Sequence, residues 1–136
     1  MWRRPIKILV IVIVNGGKVK ALLIVDHGST VEESNQMLLE LASLVRKMRP
    51  GLLVHTAHLE VLEPSIAQGL NACVEDGATE IVVHPYMLAP GRHATKDVPR
   101  LVHEAAKLHP SIVVTVTGPL GLHEKVAEVI LERAAL

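Results

Sequence analysis

The chain has 136 residues, of which 49% are hydrophobic and 21% charged, which predicts a single globular domain with a substantial core. Fourteen basic residues balance fourteen acidic ones, so the charge does not favour binding to nucleic acid or to an anionic membrane. Phe is absent, so the core is expected to be aliphatic and platforms for base stacking are lacking. The single cysteine, Cys73, excludes a disulfide within one chain and a multi-cysteine metal site, and favours the cytoplasm. Eight histidines direct attention to metal or proton chemistry.

Residues 1–19 are predicted to be an N-terminal extension that precedes the main domain, residues 20–136. The apolar run at 8–14 follows two arginines, but it is short for a signal peptide and leads into Asn15-Gly16-Gly17, a turn, rather than a cleavage signal. It is also too short to span a bilayer. The favoured interpretations are an extra β-strand or an upstream extension that belongs to no core element, and no membrane-spanning segment is expected elsewhere.

From Lys20 onward, apolar runs alternate with helical patterns. Strands are predicted over 21–25, 52–57, 80–86 and 112–117. Helices are predicted to follow each strand, up to Pro50-Gly51, up to Gly77, over 96–108 and over 122–134. Strands that are apolar throughout are typical of a parallel sheet with helices on both faces. We therefore expect a flavodoxin-like three-layer α/β sandwich, with a four-stranded parallel sheet in the order 2-1-3-4.

The first candidate loop, Asp26-His27-Gly28-Ser29, follows strand 1. Gly28 permits a tight turn that brings His27 close to a ligand. Ser29 or Thr30 is expected to cap the next helix, and Ser29 is also suited to binding an anionic group. Taken alone, the same residues also fit an ordinary loop in which Asp26 ends the strand.

The second candidate loop, Pro90-Gly91-Arg92-His93, follows strand 3. The loop either only reverses the chain, with the cationic side chains of Arg92 and His93 in solvent, or it forms one half of a functional site. Strands 1 and 3 are expected to be neighbours about 5 Å apart, so His27 and His93 should face one crevice. Neutral imidazoles bind divalent metals and accept protons near neutral pH. Two histidines without a third fixed ligand would form an open site, suited to metal transfer.

Glu60, at the end of strand 2, is a candidate to reach the same crevice, as a carboxylate ligand or a proton acceptor. Alternation along an extended strand would place His58 on the same face as Glu60. Glu63 is explained by the preference of acidic residues for the first turn of a helix. The remaining histidines are interpreted as packing or solvated residues.

These motifs together resemble the short, single-domain sirohydrochlorin chelatases of the CbiX/SirB type, which insert cobalt or ferrous iron into sirohydrochlorin. The resemblance covers about 21–134. It is carried by Val25-Asp26-His27-Gly28-Ser29, Glu33-Ser34-Asn35, Glu60 with Glu63-Pro64-Ser65-Ile66, and Pro85-Tyr86-Met87-Leu88-Ala89-Pro90-Gly91-Arg92-His93 with Asp97-Val98-Pro99. Asp26 before His27 and the Ala-His-x-Glu ending at Glu60 look more like the plant ferrochelatases than the archaeal cobaltochelatases. The iron–sulfur cluster of those plant enzymes is not expected here, because their cysteine-rich tail has no counterpart.

The resemblance implies a class II chelatase fold and a homodimer with the cleft between protomers. It implies that His27 and His93 bind the incoming metal and help to remove pyrrole protons. Glu60 is a further candidate proton acceptor, and Ser29, Arg92 and Lys96 are candidates for binding substrate carboxylates. No permanently bound cofactor is expected. The metal is a substrate, Fe²⁺ or Co²⁺ and possibly Ni²⁺, and these ligand types do not select among them.

Two other functions share part of this pattern. A non-catalytic, flavodoxin-like module that binds metal or tetrapyrrole would carry the same histidines. A phosphoryl-transfer enzyme of the histidine phosphatase kind would need an Arg-His-Gly order, whereas Asp26 precedes His27 here.

Overall fold

A computed structural model describes residues 17–136. Four strands alternate with four α-helices, and a short π-helical turn precedes the third helix. In chain order the elements are β1 (Lys20–Asp26), α1 (Glu32–Met48), β2 (Leu53–His58), α2 (Ile66–Glu75), β3 (Glu80–Pro85), the π turn (His93–Asp97), α3 (Val98–Ala106), β4 (Val113–Val116) and α4 (Glu124–Arg133). The predicted N-terminal strand lies outside the described residues, so that interpretation stays a prediction.

All strand pairs are parallel and the sheet order is β2-β1-β3-β4, which confirms the predicted topology. Val25 pairs with Ala57 on one side and with Pro85 on the other. The carboxyl ends of β1, β2 and β3 are therefore level, and the loops that follow these strands meet at one edge of the sheet.

Alternate residues of each strand serve two separate cores. Leu23, Ile81 and Val83 belong to the larger core, which α2 and α3 cover with buried side chains such as Leu70 and Val98. Strand residues of opposite parity, Ile24 and Val54, form the smaller core with Leu38 and Ala42 of α1. Both cores are aliphatic, as the composition predicts.

The helix starts differ in how they are capped. Ser65 caps α2 with a complete capping box, in which its hydroxyl accepts the Gln68 N–H and the Gln68 side chain accepts the Ser65 N–H. The prediction that Ser29 or Thr30 caps α1 is wrong: the N-cap is Val31, which makes no side-chain cap. The Ser29 hydroxyl instead accepts the Val31 N–H within the loop.

The third helical segment begins earlier than predicted. His93 is the first residue of the π turn, which runs directly into α3, whereas the sequence placed the helix start near Lys96. His93 therefore projects from a helical turn, and its carbonyl accepts the Val98 N–H.

The last helix does not cover the sheet in the way that the βα pattern predicts. None of the residues of α4 is buried, and Val129, Ile130 and Leu131 are 50%, 63% and 51% exposed. Over the part of the chain that the structure describes, α1 alone packs on its side of the sheet. No helix among residues 17–136 is long and apolar enough to cross a membrane.

Candidate functional site

Two histidines meet where β1 and β3 end. His27 follows β1 directly, and His93 opens the π turn after β3. Their ring centroids are 5.1 Å apart and the rings are nearly perpendicular, at 89°. Both side chains are exposed. The structure thus brings together the pair that the sequence predicted to share a crevice.

The turn that carries His27 is fixed by its neighbours. The Asp26 carboxylate accepts the Gly28 N–H at 3.0 Å, and Gly28 adopts a φ of 85°, in the region that favours glycine. A Cβ at Gly28 would overlap with the carbonyl oxygen of Glu60. The Glu60 N–H in turn donates to the His27 carbonyl at 3.1 Å. The loops after β1 and β2 are therefore packed backbone against backbone.

A buried histidine–carboxylate pair lies directly behind this turn. Asp26 and His58 are partners in the β1–β2 register, and His58 Nδ1 lies 2.5 Å from Asp26 Oδ1. His58 is only 5% exposed. Alternation would have placed His58 on the face of Glu60 only if the strand extended to Glu60, and β2 ends at His58, whose ring instead pairs with Asp26. Sequence reasoning missed this pair, although the in-register ends of two neighbouring strands were a usable signal.

A second carboxylate fixes the ring of His93. His93 Nδ1 lies 2.8 Å from Asp97 Oδ2, four residues later in the same helical segment. An ionised carboxylate only accepts hydrogen bonds, so in a neutral ring Nδ1 carries the hydrogen and Nε2 keeps its lone pair. Histidines that bind metals commonly use such a partner on the second ring nitrogen. Asp97 was not predicted as a site residue, although its i,i+4 spacing from His93 was visible.

Two shallow cavities share His27 as a common wall. One, of about 250 Å³, is also lined by Ser29, Met37 and Tyr86. The other, of about 200 Å³, is also lined by Arg92 and His93. Ser29 and Arg92 are thus positioned on either side of His27, whereas exposed Lys96 lines neither cavity. A larger cavity of about 340 Å³ lies between α2 and α3, but it contains no histidine and its walls are mostly apolar.

Within residues 17–136, no three His, Cys, Asp or Glu side chains are arranged so that they could hold a metal ion. Glu60 is exposed, and its backbone, rather than its carboxylate, contacts His27. The arrangement offers two imidazoles with the remaining coordination positions open. Such a set suits a metal that is delivered and passed on, and its neutral rings also suit proton transfer.

Comparison with known proteins identifies the family. A family model described as CbiX matches residues 21–135. The chloroplastic sirohydrochlorin ferrochelatase of Arabidopsis thaliana is 40% identical over 117 residues, which cover 86% of this chain and 52% of that protein. A sirohydrochlorin cobaltochelatase of Sulfurisphaera tokodaii is 30% identical over 112 residues, which cover 82% of this chain and 88% of that protein.

The fold matches a solved chelatase as well. The sirohydrochlorin chelatase SirB from Bacillus subtilis subspecies spizizenii, in complex with cobalt, superposes with a TM-score of 0.81 at 32% identity. The match covers 86% of this chain and 50% of the SirB chain. The chain thus spans about half the length of SirB and of the chloroplast relative. On the family model and these similarities, the chain belongs to the CbiX family.

Proposed function

We propose that this chain inserts a divalent metal ion, Fe²⁺ or Co²⁺, into sirohydrochlorin. The observation that carries the proposal is the edge-on pair of His27 and His93 at the shared carboxyl edge of β1 and β3. Relatives named as ferrochelatase and as cobaltochelatase both support the reaction class, and they do not decide between the two metals. The metal is a substrate, and no permanently bound cofactor is proposed.

In this proposal, His27 and His93 bind the metal through neutral ring nitrogens and release it to the pyrrole nitrogens. Asp97 supports the step, because its hydrogen bond at Nδ1 fixes the ring and leaves Nε2 of His93 available for the metal. Insertion of M²⁺ displaces the two inner N–H protons of the macrocycle. The imidazoles of His27 and His93 accept these protons once the metal has passed to the macrocycle, and the Glu60 carboxylate is a further acceptor.

The substrate is a polycarboxylate, and the residues around the histidines suit it. Arg92 lines the cavity shared by both histidines and offers a planar donor fork for a carboxylate. Ser29 lies on the opposite side of His27. Lys96, on the π turn, supplies a further exposed cation. We assign these three residues to the binding of substrate carboxylates.

We further propose that the working unit is a homodimer in the cytoplasm. Each cavity, at about 250 and 200 Å³, is smaller than the roughly 300–1,000 Å³ that usually holds a drug-sized ligand. A tetrapyrrole therefore needs a second wall. In relatives of twice the length, the second half of the chain would provide it, and here a second copy would do so. The free, buried Cys73 is consistent with a reducing compartment.

Turnover distinguishes a chelatase from a module that only binds metal or tetrapyrrole. Under anaerobic conditions, a small amount of protein is mixed with an excess of sirohydrochlorin and Co²⁺ or Fe²⁺, and the visible spectrum is followed. We expect many equivalents of metallated product per chain, well above a protein-free control that measures spontaneous insertion. A change that stops at one equivalent per site would identify a binding module and overturn the proposal.

A further inference from the structure

The loop that carries His27, residues 26–29, is held by buried side chains to which the proposed reaction gives no role. Among residues 17–136, three polar side chains are buried: Asn35, Thr56 and His58, at 7%, 9% and 5% exposure. Two of them, Asn35 and His58, bind this loop. Burial of a polar group costs stability unless hydrogen bonds compensate, and apolar residues of similar size would fill the same space without that cost. The placement of both residues at one loop points to a role other than packing.

His58 holds the start of the loop through Asp26. His58 Nδ1 lies 2.5 Å from Asp26 Oδ1, and the same carboxylate oxygen accepts the Gly28 N–H at 3.0 Å. The side chain of Asp26 is 18% exposed and that of His58 is 6% exposed, so little water competes for these contacts. One carboxylate oxygen thus joins the end of β2 to the residue that follows His27, and loss of the His58 donor would free the Asp26 side chain.

Asn35 holds the other end of the loop. Its Oδ1 accepts the Ser29 N–H at 3.1 Å, and its Nδ2 donates to the Ser29 carbonyl at 2.8 Å. Asn35 lies near the start of α1, so this two-point contact ties the loop to the helix. The His27 carbonyl between these two anchors accepts the Glu60 N–H at 3.1 Å. The backbone on both sides of His27 is thereby fixed.

The two site histidines are oriented in different ways. The ring of His93 has a partner of its own, since its Nδ1 lies 2.8 Å from Asp97 Oδ2. No residue of the described range 17–136 makes a hydrogen bond to the ring of His27. The position of that ring, 5.1 Å from the ring of His93, therefore follows from the backbone that carries it. A fixed backbone leaves fewer ring positions to be ordered when a ligand binds, which preorganises the pair.

We propose that His58 and Asn35 are positioning residues of the metal site. They act through the backbone of His27, which they hold where its ring and that of His93 bind one ion, and they touch neither the ion nor the macrocycle. The inference rests on the proposed function in taking His27 and His93 as metal ligands. Two ligands on a fixed frame bind an ion more tightly than two that must first be ordered, so loss of either positioning residue lowers the affinity for the metal.

Titration of the full chain with Co²⁺ tests the role of His58. We expect His58→Leu to raise the Kd for Co²⁺ by about 10-fold, with unchanged stoichiometry. His58→Asn should restore most of the affinity, because its amide N–H replaces the Nδ1–H donor to Asp26. His55→Leu is the matched control, since it removes a similar contact, at 2.6 Å to Asp76, from the same strand. A wild-type Kd in His58→Leu, or a loss of stoichiometry alone, would overturn the proposal.

A double-mutant cycle separates positioning from a general effect on the fold. His58→Leu is also made in the His27→Ala background, where the ring that it positions is missing. A residue that acts through His27 has no further effect there, so we expect the double variant and His27→Ala to bind Co²⁺ with the same Kd. A further loss of affinity in the double variant would show that His58 binds the metal itself or supports the whole fold, and that result rejects the proposal.

Asn35 provides an independent test, which also applies if His58→Leu does not fold. Asn35→Asp keeps the acceptor for the Ser29 N–H and replaces the donor to the Ser29 carbonyl with a second acceptor. We expect this variant to bind Co²⁺ more weakly than the wild type, and to have no such effect in the His27→Ala background. Gln36→Ala, at the neighbouring exposed position of α1, is the control. Wild-type Co²⁺ affinity in Asn35→Asp contradicts the proposal.

None of these measurements uses sirohydrochlorin, so their outcome is separate from that of the proposed reaction. A wild-type protein that binds Co²⁺ without turnover would reject the reaction and leave the positioning role intact. A wild-type protein with turnover, and variants with unchanged Co²⁺ affinity, would reject the positioning role alone. A wild-type protein that binds no Co²⁺ would reject the histidine pair as a metal site and the positioning role with it.

Discussion

His93 donates through Nδ1 to Asp97 Oδ2 at 2.8 Å, and this contact decides which nitrogen of the ring is available. The other nitrogen, Nε2, makes no such contact, and the ring of His27 lies 5.1 Å away, centroid to centroid. The donor set of the proposed site therefore depends on a residue that does not itself line either cavity beside the histidines.

Removal of the Asp97 carboxylate should lower the affinity for the metal and have little effect on the free energy of unfolding. We expect Asp97→Ala to reduce Co²⁺ affinity by about 10- to 100-fold, because the ring of His93 loses its fixed orientation. Calorimetric or spectroscopic titration with Co²⁺ measures the effect. Asp76→Ala is the matched control, since it removes a similar contact with His55, at 2.6 Å, away from the site. Equal affinities in the two variants would exclude the orienting role.

Each site histidine should be individually essential for metal insertion. We expect His27→Ala and His93→Ala to lower the insertion rate by about 10²- to 10⁴-fold, since each removes both a metal ligand and a proton acceptor. Both side chains are exposed, so circular dichroism and thermal stability should remain close to those of the wild type. His103→Ala, an exposed histidine on α3, serves as the control. Near-full activity in either site variant would remove that histidine from the mechanism.

Gly28 should be far less tolerant of a side chain than other glycines of the same conformation. We expect Gly28→Ala to destabilise the chain by more than the ~1 kcal/mol typical of a positive φ, because its Cβ also overlaps with the Glu60 carbonyl. Gly51→Ala is the control: its φ of 91° carries the same conformational cost, and no atom lies within 4 Å of the added Cβ. Urea unfolding measures the free energy of unfolding of each variant, and the difference between the two losses gives the cost of the overlap. Equal losses would show that the two loops can separate.

The stability of the fold should depend on pH through His84. Burial lowers the pKa of His84 below its usual value of 6.5, so the folded state binds a proton less readily than the unfolded chain. The resulting loss of stability begins as pH falls through about 6.5 and grows down to the folded pKa, whereas at higher pH both states are neutral. We expect His84→Gln to reduce the difference in unfolding free energy between about pH 7.5 and pH 5.5. His103→Gln, at an exposed position, should leave that difference unchanged.

The topology and the central histidine pair were accessible from sequence because they depend on local patterns and one general rule. Apolar runs with turn residues located β1 and β3, and the convergence of parallel strands at their carboxyl ends then joined His27 to His93. This inference needed only the order of the strands and not the position of any side chain.

The sequence predictions that failed concern features that strand register or three-dimensional packing determines. His58 was expected to share a face with Glu60 if the strand extended that far, but β2 ends at His58, and the β1–β2 register sets its ring against Asp26. The start of the third helix was misplaced because a π turn leaves no periodic signal over five residues. The exposure of α4 was also unpredictable, since an amphipathic pattern predicts a helix with one apolar face and does not predict which surface that face contacts.

The π turn at 93–97 amounts to one residue more than a regular helical turn would hold. A single-residue deletion within it would restore the α-helical hydrogen-bond pattern and rotate the preceding side chain by about 100°. His93 would then turn away from His27, while α3 and its buried residues stayed in place. The relative orientation of His27 and His93 thus depends on the number of residues in this turn, and it would change without any change in the identity of a site residue.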